Sequence, residues 1–266
     1  MIADFFSQHY YLLLAFLLFM GFLASFIDAV AGGGGLVAIP ALIYTGMPIA
    51  FVFGTNKLQA SIGTSMAVRG YYKAGFINIQ TVYRGLVFGL IGAVSGALVV
   101  NYVSNKFMSF VVPFLMLGVF LFNLFNKKLG VEPGKKRMSE IWFFSVFGFI
   151  LGFYDAFFGP GTGNFWIIAI VFFLGYTFLD ASGYAKVLNL KSNIFSLIVF
   201  LYYGKVNFIF GFIMAIGSLI GGIFGAKFVI SRGSSVVRPF FMVIILANVV
   251  ISFYELFFSK SSVLSG

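Results

Sequence analysis

Continuous apolar runs at 11–26, 86–100, 107–125 and 240–258 constrain this chain more than any other feature. Each is long enough to approach or cross roughly 30 Å of hydrocarbon. A transmembrane barrel alternates apolar and polar residues to line its lumen, and these runs do not alternate. The expected fold class is therefore an all-α polytopic membrane protein. Charge agrees: 61% of the 266 residues are hydrophobic and 9% charged, too few charges to cover a soluble domain of that size. The net charge of +10 does not call for nucleic acid, because the basic residues gather between the runs, as the positive-inside rule describes. With no cysteine, disulfides and thiolate metal sites are excluded. The first run begins near Tyr10 without a basic leader, and glycines rather than an A-x-A site follow it. It reads as a retained helix.

Duplication is the second constraint. Gly21-Phe22 returns as Gly148-Phe149 and Asp28-Ala29 as Asp155-Ala156, and Gly159-Pro160-Gly161-Thr162-Gly163 takes the place of the glycines at 32–35. Gly54-x-x-Lys57 matches Gly183-x-x-Lys186, and Gly75-x-x-Asn78 matches Gly204-x-x-Asn207. Gly92-x-x-x-Gly96-Ala97 matches Gly221-x-x-x-Gly225-Ala226, and Pro113-Phe114 matches Pro239-Phe240. The expected organisation is a first membrane repeat over 1–125, a basic cytoplasmic linker over 126–140 and a second repeat over 141–266, together one transport domain. Each repeat holds five apolar segments: 10–31, 36–53, 57–73, 84–104 and 107–125, then 141–158, 164–179, 183–203, 206–229 and 237–258. An odd number of spans per repeat makes the halves antiparallel, the inverted design of many secondary transporters. Ten spans also place the loop with Arg69, Lys73 and Arg84 and the loop with Lys227, Arg232 and Arg238 beside the linker, with both termini opposite. Pro40, Gly46 and Pro48 interrupt 36–53, so that segment and 164–179 either span or re-enter; eight spans is the alternative count.

Gly85, Gly89, Gly92 and Gly96, and Gly217, Gly221 and Gly225, recur every three or four residues, the ordinary device for close helix contact in lipid. Asp28 and Asp155 lie in apolar runs, where a carboxylate costs at least a few kcal/mol. Each either binds a coupling proton or cation or caps backbone N–H groups of the glycine turn that follows. The turns themselves, through Gly33, Gly34 and Gly35 and through Gly161, Thr162 and Gly163, let backbone N–H groups converge at a helix start. That is a cradle for an anion without a full positive charge. Lys57 with Asn56 and Gln59, and Lys186 with Asn189 and Asn193, add ammonium and amide donors suited to an oxyanion. No catalytic residue, metal site or cofactor is read: His9 is the only histidine and no nucleophile–base pair is evident. A GxxxxGK[ST] motif is absent, which argues against ATP-driven transport by this chain alone. A carrier, a passive anion channel and, with less support, an intramembrane enzyme stay open at this point.

The paired signatures resemble the sulfite exporter TauE/SafE family, also called TSUP transporters. They are Gly21-x(6)-Asp28-x(3)-Gly-Gly-Gly-Gly-x(4)-Pro40 with Thr55-Asn56-Lys57-x-Gln59, and Gly148-Phe149-x-x-Gly152-x-x-Asp155-x-x-x-Gly159-Pro160-Gly161-Thr162-Gly163 with Lys186-x-x-Asn189-x-x-x-Asn193. Ser25 stands where the second repeat has Gly152. The resemblance implies a multi-pass protein of the bacterial cytoplasmic membrane that moves, often exports, sulfite, sulfonates or related sulfur-containing or carboxylate anions. The partners to expect are the small anion and membrane lipid, with a coupling proton and a homodimer left open.

Overall fold

The computed structural model describes residues 10–99, 114, 117, 118, 120–122, 124, 125, 129–157 and 162–258. These are almost entirely helical, with one isolated bridge between Leu129 and Glu132. Helix α1 spans Tyr10–Ala31, α2 Gly35–Ile43, α3 Ile49–Lys73 and α4 Ile79–Val99. After the linker come α5 (Glu140–Phe157) and α6 (Thr162–Ala169), which continues as a π-helical turn over Ile170–Leu174. The chain closes with α7 (Phe178–Tyr202), α8 (Phe208–Arg232) and α9 (Ser234–Phe258). The described residues of 114–125 are helical as well.

The helix breaks explain where the segment boundaries differ from those expected. Gly32 and Gly33 take φ of +83° and +88°, conformations that stop α1 and reverse the chain into α2. α2 is stopped in turn by Gly46 (φ +74°), with Thr45 Oγ1 donating to the Leu42 carbonyl at 2.7 Å, and Pro48 then opens α3. The break therefore falls at 44–48, and the stretch 49–53 belongs to the long helix α3 rather than to the segment before it. In the second half Thr177 and Asp180 form a capping box that starts α7 at Phe178. Neither 36–53 nor 164–179 is thus a single full-length helix. At 1.5 Å per residue the nine residues of α2 rise about 14 Å, less than half the hydrocarbon thickness.

Neighbouring contacts fix the direction of each helix. Gly34 packs on Ala24 and Asp28, while Ala38 and Leu42 cluster with Leu13 and Leu17, so α2 runs back along α1. Val52 joins that cluster, Gly63 meets Ser25, and the Tyr71 hydroxyl donates to the Ala29 carbonyl at 3.0 Å, so α3 runs with α1. α8 also runs with α1, because Gly217, Gly221 and Gly225 face the carbonyls of Leu18, Phe22 and Phe26 in turn. α4 and α5 run together through Gly85 against Gly148 and Gly89 against Gly152. Gly85 also touches Leu188 and Gly89 touches Lys191, so α7 shares their direction. α7 is antiparallel to α3, with Asn193 beside Lys57 and Gly183 beside Tyr71.

Two equivalent seams hold the bundle. A β-carbon on Gly221 would collide with the Phe22 carbonyl, and one on Gly92 would collide with the Phe149 carbonyl. The two collisions correspond under the duplication seen in the sequence. In lipid, such backbone approach substitutes dispersion contacts for the missing hydrophobic drive. The largest core packs Phe143, Phe144, Trp166, Ile167, Ile170, Phe178 and Phe241 around α5, α6 and α7. Outward faces carry Tyr11, Ile91, Val94, Phe212, Ile216, Phe224 and Val243, an apolar exterior that suits hydrocarbon. Among the described residues, Tyr10–Ala31, Phe178–Tyr202 and Phe208–Arg232 are long and apolar enough to cross a bilayer, and Ile79–Ser95, Thr162–Leu174 and Val237–Ala247 are shorter apolar helices.

Candidate functional site

A polar seam crosses this apolar bundle where α3 and α7 pass each other. At its centre the Lys186 ammonium lies 3.0 Å from Asp28 Oδ2, with the lysine side chain fully buried and the aspartate 21% exposed. Thr64 Oγ1 approaches the same carboxylate oxygen at 3.5 Å. Asp28 comes from the first half and Lys186 from the second, so the pair ties the two repeats together. The Asp28 backbone carbonyl accepts the Gly32 N–H at 2.9 Å, while its side chain serves Lys186. The capping reading of this carboxylate is thereby corrected: a fully buried ammonium is a stronger claimant than a turn N–H. Asp155 differs, accepting the Thr162 hydroxyl at 3.1 Å at the very start of α6.

The two glycine turns meet beside this pair. Gly32 lies against Gly163 and Asn164, and Gly163 lies against the Asn189 carboxamide. A β-carbon on Gly163 would stand 2.8 Å from Asn189 Nδ2, so glycine is what lets that amide reach the turn. The glycine turn before α2 and the start of α6 are thus brought together through Gly32, Gly163 and Asn164, with Thr162 opening α6 beside them. Gly34 instead packs back on Ala24 and Asp28 of α1, Gly35 meets Ile39 of its own helix, and Gly33 follows Gly32 in the turn. Gly161 lies outside the described residues. Helix starts present free N–H groups and the positive end of the dipole, so two at one place favour negative charge there.

Other expected ligands sit elsewhere. Lys57 donates to Asn193 Oδ1 at 3.1 Å. Lys57 is seven residues from Thr64 on α3, and Asn193 is seven from Lys186 on α7, two turns in each case. The Lys57–Asn193 contact therefore lies about 10 Å along the seam from Lys186 and Asp28. The expectation that both lysines close on one small anion is corrected by that offset, which follows from the antiparallel crossing of α3 and α7. Gln59 and Asn56 are spent on structure: Gln59 Nε2 donates to Asn56 Oδ1 at 2.8 Å, and the Ser218 hydroxyl donates to Gln59 Oε1. Ser218 also lies 3.0 Å from the Gly21 carbonyl, so this buried knot ties α3 to α8 and α1.

Two residues were missed in the sequence. Lys191 lays its ammonium over Gly89, opposed by the charge of Asp155. A second lysine inside the apolar run 183–203 was the available signal. Asn164, 3% exposed, follows Gly163 directly and has a carboxamide with no hydrogen-bond partner among the described residues.

The family model described as Sulfite exporter TauE/SafE matches residues 17–251. A probable membrane transporter protein of Haemophilus influenzae is 42% identical over 88% of this chain and 91% of its own length. The probable membrane transporter protein YfcA of Escherichia coli K12 is 38% identical over 88% of this chain and 87% of its own. A probable membrane transporter protein of a Sinorhizobium species, ORF9, is 33% identical over 88% and 90%. No solved structure matches. With the family model and relatives above 30% identity each covering nearly the whole chain, the chain belongs to the TauE/SafE family of membrane transporters.

Proposed function

We propose that this chain is a secondary carrier, working as an exporter, for a small oxyanion: sulfite, a sulfonate or a related sulfur-containing or carboxylate anion. It sits in the bacterial cytoplasmic membrane as two inverted five-segment repeats joined by the 126–140 linker. The observation that carries the reading is the meeting of the α2 and α6 starts at Gly32, Gly163 and Asn164, beside a fully buried lysine. Broken helices whose N-termini face one point at mid-depth are a known way to hold an anion in a membrane without leaving a bare charge in lipid. The opposed directions of α1 and α5 support the inverted arrangement. Asp155 accepts from a neutral hydroxyl whereas Asp28 holds the buried Lys186, and Asp155 is therefore the better of the two carboxylates to carry a coupling proton.

The test is a thermal-shift panel of the purified chain against sulfite, thiosulfate, sulfonates and carboxylates, since a ligand of the folded state raises its stability by mass action. A rise with at least one oxyanion, lost when Gly163→Val closes the junction, is expected. Absence of a shift with every anion sinks the site. Saturable counterflow in liposomes is the expected carrier signature, and its absence with intact flux makes the protein a channel.

A further inference from the structure

Asn164 is the third residue of α6, is 3% exposed, and has neither carboxamide atom hydrogen-bonded among the described residues. Its Oδ1 lies 3.0 Å from where a β-carbon on Gly32 would stand, so the amide reaches across to the first glycine turn. A buried carboxamide wants both an acceptor for its N–H groups and a donor for its oxygen. A fully deprotonated oxyanion offers acceptors only. It would satisfy Nδ2 and leave Oδ1 unpaired.

The charges along the mid-bundle seam set a second requirement. Lys186 lies against Asp28, and Lys191 feels the charge of Asp155. Lys57, about 10 Å along the seam, donates to the neutral Asn193 carboxamide. The seam as a whole therefore holds one positive charge in excess among the described residues. Uncompensated charge is costly where water is scarce, so a single negative charge completes the seam and a second one overloads it.

We propose that the substrate is a singly charged oxyanion that also donates a hydrogen bond, as a hydroxyalkanesulfonate does, and that Asn164 selects it. Nδ2 donates to the anionic group and Oδ1 accepts the hydroxyl. This rests on the junction of the glycine turns being the substrate site.

The test is calorimetric binding to the purified full chain of 2-hydroxyethanesulfonate, propane-1-sulfonate and sulfoacetate. The first two have equal charge and nearly equal size but differ in the hydroxyl; the third is a dianion. 2-Hydroxyethanesulfonate should bind at least ~10-fold tighter than propane-1-sulfonate, the penalty for leaving one buried polar atom unpaired. It should also outbind sulfoacetate, and Asn164→Leu should erase the preference for the hydroxyl. Equal binding of the two monoanions, a preference that survives Asn164→Leu, or tighter binding of sulfoacetate overturns this inference while leaving the anion site standing. If none of the three binds and the anion panel above is also silent, the site reading falls and this inference with it. The ligand comparison on the unaltered chain decides the matter even if Asn164→Leu does not fold, and Asn164→Ser provides a smaller change at the same place.

Discussion

The Asp28–Lys186 pair is the most consequential contact at the scale of single residues. Its lysine has no exposure at all, so removal of either partner strands the other in a low-dielectric interior. Lys186→Met should therefore destabilise the protein by ~3–5 kcal/mol, the usual cost of breaking a buried pair. Asp28→Leu combined with Lys186→Met should recover most of that loss, because an apolar pair of similar volume avoids the desolvation of both ions. Thermal unfolding in detergent of the two singles and the double measures the coupling, and additive losses would mean the pair does not hold the repeats together. Asp155→Asn should cost less than Asp28→Asn, since an amide can still accept from the Thr162 hydroxyl. This contrast was not legible in the sequence, where the two aspartates occupy equivalent places. Which lysine reaches which carboxylate is decided by how α1, α3 and α7 cross, and no local spacing encodes that.

At the scale of helices, the sequence was most legible where one signal acted alone. The end of α1 at Ala31 agrees with the end of the apolar run 10–31, because the glycine turn stops it without competition. Helix limits were least legible at 44–48 and 175–177, where a break lies inside a hydrophobic stretch. Pro48 and the Thr177–Asp180 capping box carried the information, but continuous apolarity masked it. The glycine stripes were legible because lipid packing rewards small residues at one spacing. That reading has a direct consequence. Gly221→Leu drives a side chain into the Phe22 backbone, which cannot rotate away, and should destabilise by ~3 kcal/mol or more through overpacking. Gly118→Leu, at a position with no described atom within 4 Å of its β-carbon site, should be close to neutral. Comparable losses at both positions would show that helix propensity, and not the seam between α1 and α8, sets the stability.

At the scale of the whole molecule, the helix directions reconcile two expectations that the sequence set against each other. A segment 36–53 that dips in and returns would cost one crossing and turn the Arg69–Arg84 loop away from the linker. Instead α2 runs back along α1, so α3 starts again from the side on which α1 began. The contacts at one end of the bundle confirm the grouping. The linker docks there through Gly134 N–H on the Gly175 carbonyl at 2.8 Å, and Arg137 Nη1 donates to the Phe172 carbonyl at 2.8 Å. The Leu179 N–H donates to Ser234 Oγ at 3.1 Å, and the Asn78 N–H reaches the Tyr184 hydroxyl at 3.3 Å. Arg69, Lys73, Arg84, Lys135, Lys136, Arg137, Lys227, Arg232 and Arg238 all belong to that end, whereas Lys205 stands at the other beside Phe51. An asymmetry of this size orients a membrane protein with its basic end in the cytoplasm. The linker should therefore be cytoplasmic, and both termini should face the opposite side. The chain has no cysteine, so single cysteines report without background. On intact cells an impermeant thiol reagent should label Ser262→Cys and leave Ser139→Cys untouched until the membrane is opened. Labelling of Ser139→Cys alone would reverse the orientation, and labelling of both would break the parity on which the inverted repeats depend.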